Sequence, residues 1–534
     1  MPLATLAPAQ APEKRADDSD TAVRYLPSQA VLLDTLLAAE PRVDVDRKFA
    51  SIRRQLRSGC QVRPIDAPRG FHGKLRKYQR EGLSWFDFLQ RFQFGGCLAD
   101  DMGLGKTVQV LALLQRRRLR GAAHRSASLI VVPRSLMHNW IDEAARFTPR
   151  MRVLAYRGQG RKELFDQIDQ HDIVLTTYGT LRRDVTQLKE KMFDYAILDE
   201  AQAIKNASSQ AAKACRLLSA RHRLALTGTP VENHIGELWS IFEFLNPGML
   251  GHLPAVRRLS QANGSREDDS AELLAKALRP FILRRTKEQV LKELPKKTEQ
   301  TLYCQLQGEQ RRLYDELRNH YRASLAKQID RVGLRRSKIH VLEALLRLRQ
   351  AACHPGLIDP RQTGKPSAKL DALLEQLREV VGEGHKALVF SQFTSLLAIA
   401  RQKLDTEGIT YEYLDGKTRK RKEKVDRFQN DPHCPLFLIS LKAGGLGLNL
   451  TAADYVYILD PWWNPAVESQ AVDRAHRIGQ TRPVFAYRLI AQDTVEEKIL
   501  ELQQHKRHLA EAIITADNSL IRRLTPEDLQ VLLG

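Results

Sequence analysis

The sequence predicts an α/β protein with two tandem lobes, each a parallel β-sheet flanked by helices. Continuous runs of β-branched and apolar residues, separated by helical stretches, are typical of strands buried on both faces. Such runs occur in two series. The first reads SLIVVP, DIVLTTY, YAILDE and RLALTGTP, and the second reads KALVFSQF, EYLDG, PLFLIS and YVYILD. This alternation indicates doubly wound sheets whose ligands bind at the carboxyl ends of the strands.

The 534-residue chain has room for two to four domains. We expect a variable N-terminal tail with short helices (1–60), a first lobe (61–295), a second lobe (296–515) and a C-terminal tail (516–534). Residues 309–350 are dense in Arg and Lys and predict a helical insertion in the second lobe. Such a basic helix is compatible with a nucleic-acid backbone or with a solvated surface.

Composition narrows the class of protein. Lys and Arg number 84 against 63 Asp and Glu, a net charge of +21, which suggests a polyanionic partner; a solvated basic surface is the alternative. No apolar run reaches the length of about eighteen residues that a membrane span needs. The N-terminus lacks a signal-peptide pattern, so we expect a cytoplasmic protein. Six scattered cysteines without a C-x-x-C pair predict reduced thiols and no zinc site.

A glycine-rich turn, LADDMGLGKTVQ over residues 98–109, leads into a helical stretch. Such a turn wraps phosphates with backbone N–H groups, while Lys106 supplies a cation and Thr107 a hydroxyl for Mg²⁺. Asp100 stands at the first glycine of the general G-x-x-x-x-G-K-[ST] pattern, which disfavours a kinase-like loop. An ordinary glycine-rich turn is the alternative. The predicted nucleotide-binding residues here are Asp101, Met102, Gly103, Leu104, Gly105, Lys106 and Thr107.

A pair of carboxylates follows the predicted strand YAIL, in the motif Asp199-Glu200-Ala201-Gln202. Both acids therefore emerge at the edge of the sheet. Asp199 is placed to hold Mg²⁺ through water, and Glu200 to orient and deprotonate the attacking water. A solvated loop is the usual reading of such a pair, but the phosphate-binding turn in the same α/β series favours nucleotide hydrolysis.

Two further segments of the first lobe carry polar side chains of interest. The helix predicted over residues 75–89 places Tyr78 to stack on a base and Gln79 to read an adenine edge; a surface glutamine beside a core tyrosine is the alternative. In FILRRTK, residues Arg284, Arg285 and Lys287 either contact phosphates, bridge the lobes or occupy an exposed helix face.

The second lobe has no phosphate-binding turn of its own, so we expect it to complete the first lobe's site across a cleft. Its glycine-rich turn, residues 441–454, suits a close approach to ATP or to a phosphodiester backbone. In QAVDRAHRIGQ, Arg474 and Arg477 lie three residues apart, on one face of a predicted helix, and can contact the γ-phosphate together with Gln470. Surface arginines are the alternative.

Taken in order, these motifs resemble those of Swi/Snf-family ATPases, double-stranded-DNA translocases of helicase superfamily two, and in particular the bacterial branch. The resemblance covers about residues 75–500. The DEAQ box and the HRIGQ ending differ from DEAD-box RNA helicases, and Asp101 stands where the family often has Glu. The motifs include DDMGLGKTVQ, IVVPRSLMHNW, DEAQAIKN, LTGTPVENHIGELW, FILRRTK, LVFSQFT and QAVDRAHRIGQTRPV.

The resemblance implies two RecA-like lobes with family-specific helical insertions, and ATP with Mg²⁺ between the lobes. It implies that Gln79 reads adenine, that Gly447 faces the nucleotide, and that Thr227, Gly228 and Thr229 couple hydrolysis to lobe movement. The hydrolytic residues it implies are Lys106, Thr107, Asp199, Glu200, Gln470, Arg474 and Arg477. DNA contacts are implied near Pro133, Thr177, Gln392, Lys442 and Trp463.

We therefore expect a cytoplasmic, nucleoid-associated ATPase that moves along duplex DNA and displaces or remodels bound protein. By analogy with bacterial relatives, RNA polymerase or a nucleoid protein is the expected target. A strand-separating DNA or RNA helicase shares the ATP site and remains an alternative. A non-hydrolysing ATP-gated DNA clamp is a further alternative, which the full set of charged residues for hydrolysis disfavours. An unrelated P-loop kinase is the last alternative, which the missing first glycine disfavours.

Overall fold

A computed structural model describes residues 64–119, 126–158, 160–228, 235–250, 278–291, 293–332, 334–441, 448–462 and 465–501. The chain divides into two compact units, with the boundary between Val290 and Leu291. Each unit contains one parallel β-sheet with flanking helices, so the predicted α/β class with two sheets is confirmed.

The first unit contains seven paired strands in its described part. The strands are β1 (Gly96–Leu98), β2 (Ser128–Val132), β3 (Val153–Ala155), β4 (Ile173–Thr177), β5 (Phe193–Leu198), β6 (Ala220–Leu226) and β7 (Ile282–Leu283). The helices are α1 (Lys77–Phe92), α2 (Lys106–Leu119), α3 (Met137–Phe147), α4 (Tyr178–Leu188), α5 (Gln210–Arg216), α6 (Ile235–Leu245) and α7 (Lys287–Val290). Short 3₁₀ turns include Ala201–Ile204, directly after β5.

The first sheet has the strand order β3-β4-β2-β5-β6-β1-β7, and its recorded pairings are parallel. Apolar side chains cover both faces of this sheet, in two clusters centred on its interior strands. This arrangement explains the uninterrupted apolar runs, because a parallel strand between two helical layers has no polar face. The carboxyl ends of all seven strands consequently lie along one edge.

The second unit contains six paired strands in its described part. They are β8 (Lys297–Gln305), β9 (Ala387–Ser391), β10 (Tyr411–Leu414), β11 (Leu436–Ser440), β12 (Tyr455–Ile458) and β13 (Val484–Gln492), in the sheet order β10-β11-β9-β12-β13-β8. The helices are α8 (Gly308–Val332), α9 (Leu334–Cys353), α10 (Ala368–Gly382), α11 (Thr394–Thr406), α12 (Arg421–Asn430) and α13 (Pro465–Val472). The basic stretch 309–350 falls within α8 and α9.

All eight strands predicted from continuous apolar runs are present, with ends that differ from the predicted ones by at most four residues. Five others were not predicted. Three of these, β1, β3 and β7, are only two or three residues long and give no periodic signal. The nine-residue β8 is polar and mostly exposed, because it forms an edge of the second sheet, and β13 pairs with β8 along its whole length.

Three features of the described residues concern the cysteines, metal ions and membrane-spanning helices. Cys97, Cys215, Cys304, Cys353 and Cys434 are free thiols. Within the described ranges, no group of three or more His, Cys, Asp or Glu side chains is placed to hold a metal ion. No helix in these ranges is long and apolar enough to cross a membrane.

Candidate nucleotide site

The predicted phosphate-binding turn joins β1 to α2, which begins at Lys106. Gly103 and Gly105 have φ angles of +90° and +72°, a left-handed conformation that L side chains rarely adopt. A Cβ on Gly105 would also stand 2.7 Å from the Gln79 side-chain nitrogen. Both glycines are therefore required by the backbone and not only by a ligand.

Lys106 lies where a phosphate-binding lysine is expected. Its ammonium donates to the carbonyl oxygens of Asp100 at 2.6 Å and of Asp101 at 3.3 Å. An ammonium has three donors, so these contacts are compatible with a further bond to a phosphate oxygen. A Cβ on Gly228 would lie 3.5 Å from the Lys106 nitrogen, which places the turn after β6 beside the lysine.

Tyr78 and Gln79 hold the phosphate-binding turn from the side of α1. The Tyr78 hydroxyl donates to the Leu104 carbonyl at 2.9 Å, and the Gln79 amide donates to the same oxygen at 3.2 Å. The Gln79 side-chain oxygen accepts from the Arg76 backbone N–H at 2.9 Å and so caps the helix. Burial raises the pKa of Tyr78 to about 12, so the hydroxyl remains a donor.

The structure contradicts the stacking role predicted for Tyr78. This side chain is 5% exposed, and the Arg285 guanidinium lies over its ring at 5.1 Å, so that face is covered. Gln79 is equally buried, which also excludes the surface glutamine considered as the alternative. Its predicted role as adenine reader stays a prediction.

Asp199 and Glu200 follow β5 at the carboxyl edge of the first sheet, as predicted. The Asp199 carboxylate accepts hydrogen bonds from the Trp140 indole N–H at 2.8 Å and from the Glu200 backbone N–H at 2.9 Å. The Tyr178 hydroxyl donates to the Asp199 carbonyl at 2.8 Å. Three elements, α3, α4 and β5, thus fix the position of this carboxylate.

The electrostatic setting of Asp199 is unusual for a carboxylate. Burial, with a smaller contribution from the neighbouring Glu200 charge, raises its pKa from 3.8 to about 7, against opposing effects of the Trp140 hydrogen bond and of Lys106. A divalent cation would offset the cost of ionising this group. The Thr107 hydroxyl and the Asp199 carboxylate are oxygen ligands of the kind that Mg²⁺ prefers, so the residues fit the predicted metal.

Glu200 adopts a left-handed backbone conformation with φ +51°, which turns the chain from β5 into the 3₁₀ turn. The Gln202 side chain folds back and donates to the Glu200 carboxylate. The Thr227 hydroxyl, after β6, donates to the Gln202 side-chain oxygen at 3.2 Å. The Gln202 side chain therefore links the ends of the neighbouring strands β5 and β6. Thr229 lies outside the described residues.

The structure brings other predicted positions to the carboxyl edges of the two sheets. Pro133 directly follows β2, and Thr177 ends β4, where its hydroxyl accepts from the Thr180 backbone N–H at 3.1 Å. Gln392 directly follows β9 in the second sheet. Gly447, Lys442 and Trp463 lie outside the described residues.

The helical arrangement predicted for Arg474 and Arg477 is wrong. Helix α13 ends at Val472, so Gln470 lies on the helix and both arginines follow it. The Arg474 carbonyl accepts from the Leu450 backbone N–H at 3.1 Å, and Gly479 has φ +105°. The Arg474 carbonyl is therefore bonded to a distant segment and not to a later residue of a helix, and Arg474 is only 2% exposed. Their predicted contact with the γ-phosphate stays a prediction.

Two residues that support the site were given no role from the sequence, and a third was given a different one. Trp140 and Gln202 lie within motifs of the resemblance, but their side-chain contacts depend on how α3 and the 3₁₀ turn pack. Arg285 was assigned to phosphate contacts, a lobe bridge or an exposed helix face. It is instead 9% exposed and bonded to Asp100 within the first unit.

Comparison with known proteins gives matches over both units. The model of the SNF2-related domain matches residues 78–357, and the model of the helicase conserved C-terminal domain matches residues 368–479. The putative ATP-dependent helicase/translocase YwqA of Bacillus subtilis is 37% identical over 93% of this chain and 55% of its own length. The chain spans about half the length of this and a mycoplasmal relative.

Two further relatives come from the other domains of life. The TATA-binding protein-associated factor MOT1 of Saccharomyces cerevisiae is 34% identical over 93% of this chain and 30% of its own length. The solved Sulfolobus solfataricus SWI2/SNF2 ATPase core in complex with dsDNA is 36% identical, covering 88% of this chain and 99% of that one, with a TM-score of 0.43.

Proposed function

Because the chain belongs to the SNF2-related family and carries its helicase ATPase domains, we propose that it is an ATP-dependent translocase on double-stranded DNA. In this proposal, movement along the duplex remodels or displaces bound protein. The observation that carries the proposal is the convergence of Lys106, Asp199 and Glu200 at one edge of the first sheet, with Glu200 tied to Thr227 through Gln202.

The proposed chemistry is hydrolysis of the γ-phosphate of ATP. Lys106 bonds the phosphate oxygens and Glu200 orients and deprotonates the attacking water. Thr107 and Asp199 would hold Mg²⁺, which neutralises developing negative charge on the phosphates when bound. Gln79 reads adenine in this proposal. The rest of the phosphate-binding turn consists of Asp101, Met102, Gly103, Leu104 and Gly105.

Four further residues are proposed, from the resemblance, to act on the nucleotide: Gly447, Gln470, Arg474 and Arg477. Guanidinium groups suit the γ-phosphate because they stay charged and bond two oxygens at once. Arg474 is buried and its backbone is fixed by Leu450, so a contact with nucleotide would use a preorganised residue.

Coupling to movement is proposed to pass through Gln202. Loss of the γ-phosphate changes the charge next to Glu200, and Gln202 relays a change in the Glu200 carboxylate to Thr227 after β6. Thr227 is 2% exposed, so it has little freedom to move alone. A change at this residue would therefore displace the adjacent Gly228, which lies beside Lys106.

The duplex is the proposed track because the net charge of +21 suits a phosphate backbone. Such contacts position the protein without reading sequence. Of the proposed contacts, those near Pro133, Thr177 and Gln392 lie at strand ends. The contacts proposed near Lys442 and Trp463 rest on the resemblance alone. The name of the Saccharomyces cerevisiae relative refers to a TATA-binding protein, which supports a DNA-bound protein as target. RNA polymerase or a nucleoid protein is the target we propose, in a cytoplasmic, nucleoid-associated setting.

A strand-separating helicase is the second candidate, because the Bacillus subtilis relative is named both helicase and translocase. The two activities differ in product. A translocase displaces a third strand from a triplex and leaves the duplex intact, whereas a helicase releases one strand of the duplex.

The test compares ATP hydrolysis without nucleic acid and with duplex DNA, single-stranded DNA or RNA, at low and moderate salt. Glu200→Gln serves as the control, because it keeps the shape and removes the base. Stimulation by duplex DNA, absent from the variant, together with triplex but not duplex displacement supports the translocase. Stimulation by RNA or single strands alone would overturn the duplex assignment. No turnover would favour an ATP-gated clamp.

A further inference from the structure

A buried ion pair joins Arg285, which follows β7, to Asp100 at the start of the phosphate-binding turn. The Arg285 side chain is 10% exposed and that of Asp100 is fully buried. The Arg285 Nε donates to one Asp100 oxygen at 2.9 Å, and Nη2 donates to the other. This bidentate contact is the strongest geometry available to a guanidinium and a carboxylate.

The same guanidinium contacts two further elements that border the turn. Its Nη2 donates to the Gln109 side-chain oxygen at 2.8 Å, on the first turn of α2. Its Nη1 donates to the Tyr78 carbonyl on α1. Gln109 in turn donates to the Asp100 carboxylate at 3.1 Å, so the network closes on itself. A Cβ on Gly82 would stand 2.1 Å from the Gln109 oxygen, so a larger residue there would displace the Gln109 side chain from the network.

Backbone contacts fix Arg285 beside the turn. The Ala99 N–H donates to the Leu283 carbonyl at 2.7 Å, and the Asp101 N–H donates to the Arg285 carbonyl at 3.0 Å. The Asp101 carboxylate accepts from the Lys287 N–H at 3.0 Å. Residues 283–287 therefore run alongside residues 99–101 and extend the pairing of β1 with β7.

Asp100 is the residue that stands in place of the first glycine, and its carbonyl accepts from the Lys106 ammonium at 2.6 Å. Its side chain has to be directed away from the phosphates, since a carboxylate there would repel them. We propose that Arg285 is a positioning residue for nucleotide binding: it clamps the Asp100 side chain and so sets the backbone that places Lys106. The proposal rests on the nucleotide site of the proposed function and deepens it.

A second buried ion pair in the same unit provides a matched control. Arg117 and Asp194 also form a bidentate contact, and their side chains are 9% and 3% exposed. Arg117 lies on the last turn of α2, eleven residues after Lys106 and thus about 16 Å along the helix. Loss of either pair should destabilise the unit, but only the Arg285 pair contacts the phosphate-binding turn.

The experiment measures affinity for a fluorescent ATP analogue and the melting temperature of Arg285→Gln and Arg117→Gln in the full chain, without DNA. We expect Arg285→Gln to bind the analogue about tenfold more weakly or worse, in the range seen when a supporting residue is removed. Arg117→Gln should lose comparable melting temperature with nearly unchanged affinity. Arg285→Gln with Asp100→Asn should cost less than the sum of the single variants, because both break one contact.

Equal affinities of Arg285→Gln and Arg117→Gln would overturn the proposal. If Arg285→Gln fails to fold, Arg285→Lys and Arg117→Lys replace the two variants, because lysine keeps the charge and loses the bidentate contact. Weaker binding of the ATP analogue by Arg285→Lys alone would support the positioning role. Equal binding by the two lysine variants would overturn it. These outcomes are separate from the translocase itself. A wild-type chain that binds nucleotide but gains no turnover from duplex DNA would contradict translocation and leave the role of Arg285 intact.

Discussion

The two sheets each bury an aspartate just beyond an interior strand, and the two carboxylates are held in opposite ways. Asp199, after β5, is bonded by an indole N–H and a backbone N–H and has Glu200 as its neighbour. Asp460, after β12, lies 3.7 Å from the Arg349 guanidinium and accepts from the Ser391 hydroxyl.

The difference separates a carboxylate that only neutral groups bond from one that a guanidinium accompanies. Burial raises the pKa of both, but for Asp460 the Arg349 charge offsets part of the effect. Asp460 also accepts from the Gln392 backbone N–H at 3.1 Å, so it fixes the loop after β9. Asp199 has only neutral donors bonded to its oxygens, and its charge is therefore available to a cation. A paired acid stabilises the fold, and the acid with neutral donors is suited to binding a metal.

The largest effect is expected from Asp460→Leu. This change leaves Arg349 buried without its carboxylate, which should lower the free energy of unfolding by about 3–5 kcal/mol. Urea unfolding followed by circular dichroism measures the loss. Asp460→Asn, which keeps an acceptor for Ser391 and Gln392, should cost less. Equal stability of wild type and Asp460→Leu would show that the pair is not structural.

A smaller effect, on activity and not on folding, is expected from Asp199→Asn. The amide keeps an acceptor for Trp140 but loses the negative charge, so turnover of ATP should fall about 10–100-fold. The rate at saturating Mg²⁺ and duplex DNA measures it, and the melting temperature serves as control. Full activity of this variant would remove Asp199 from the proposed metal site.

The smallest effect concerns pH. The folded Asp199 carboxyl has a pKa of about 7 against an ordinary 3.8, so between these values it keeps a proton that the unfolded chain has released. Its contribution to stability therefore falls as pH rises through this window. From about pH 5 to about pH 8, the wild type should lose more melting temperature than Asp199→Asn. Identical pH profiles of the two proteins would contradict the raised pKa.

Much of this comparison could be anticipated from sequence, because local signals were strong. The apolar runs before Asp199 and Asp460 predicted buried strands, and the position of Asp199 directly after its strand predicted its place at the sheet edge. The glycines and lysine of the phosphate-binding turn likewise impose their conformation locally, as the φ angles of Gly103 and Gly105 bear out.

The remaining features depend on contacts between distant segments. Trp140 on an amphipathic helix predicts only a core residue, and its bond to Asp199 spans 59 positions. Arg285 and Asp100 are 185 positions apart, so neither sequence neighbourhood reveals the pair. The segment with Arg474 has a helical pattern, but its bond to Leu450 and the turn at Gly479 override that local preference.

The backbone of Glu200 has a consequence for how this protein evolves. A non-glycine residue at φ +51° costs about 1–2 kcal/mol relative to an ordinary conformation, and the fold carries that cost at the proposed catalytic base. Selection for stability alone would favour glycine at this position. If Glu200 is the proposed base, its strained backbone is an example of stability given up for function at an active site.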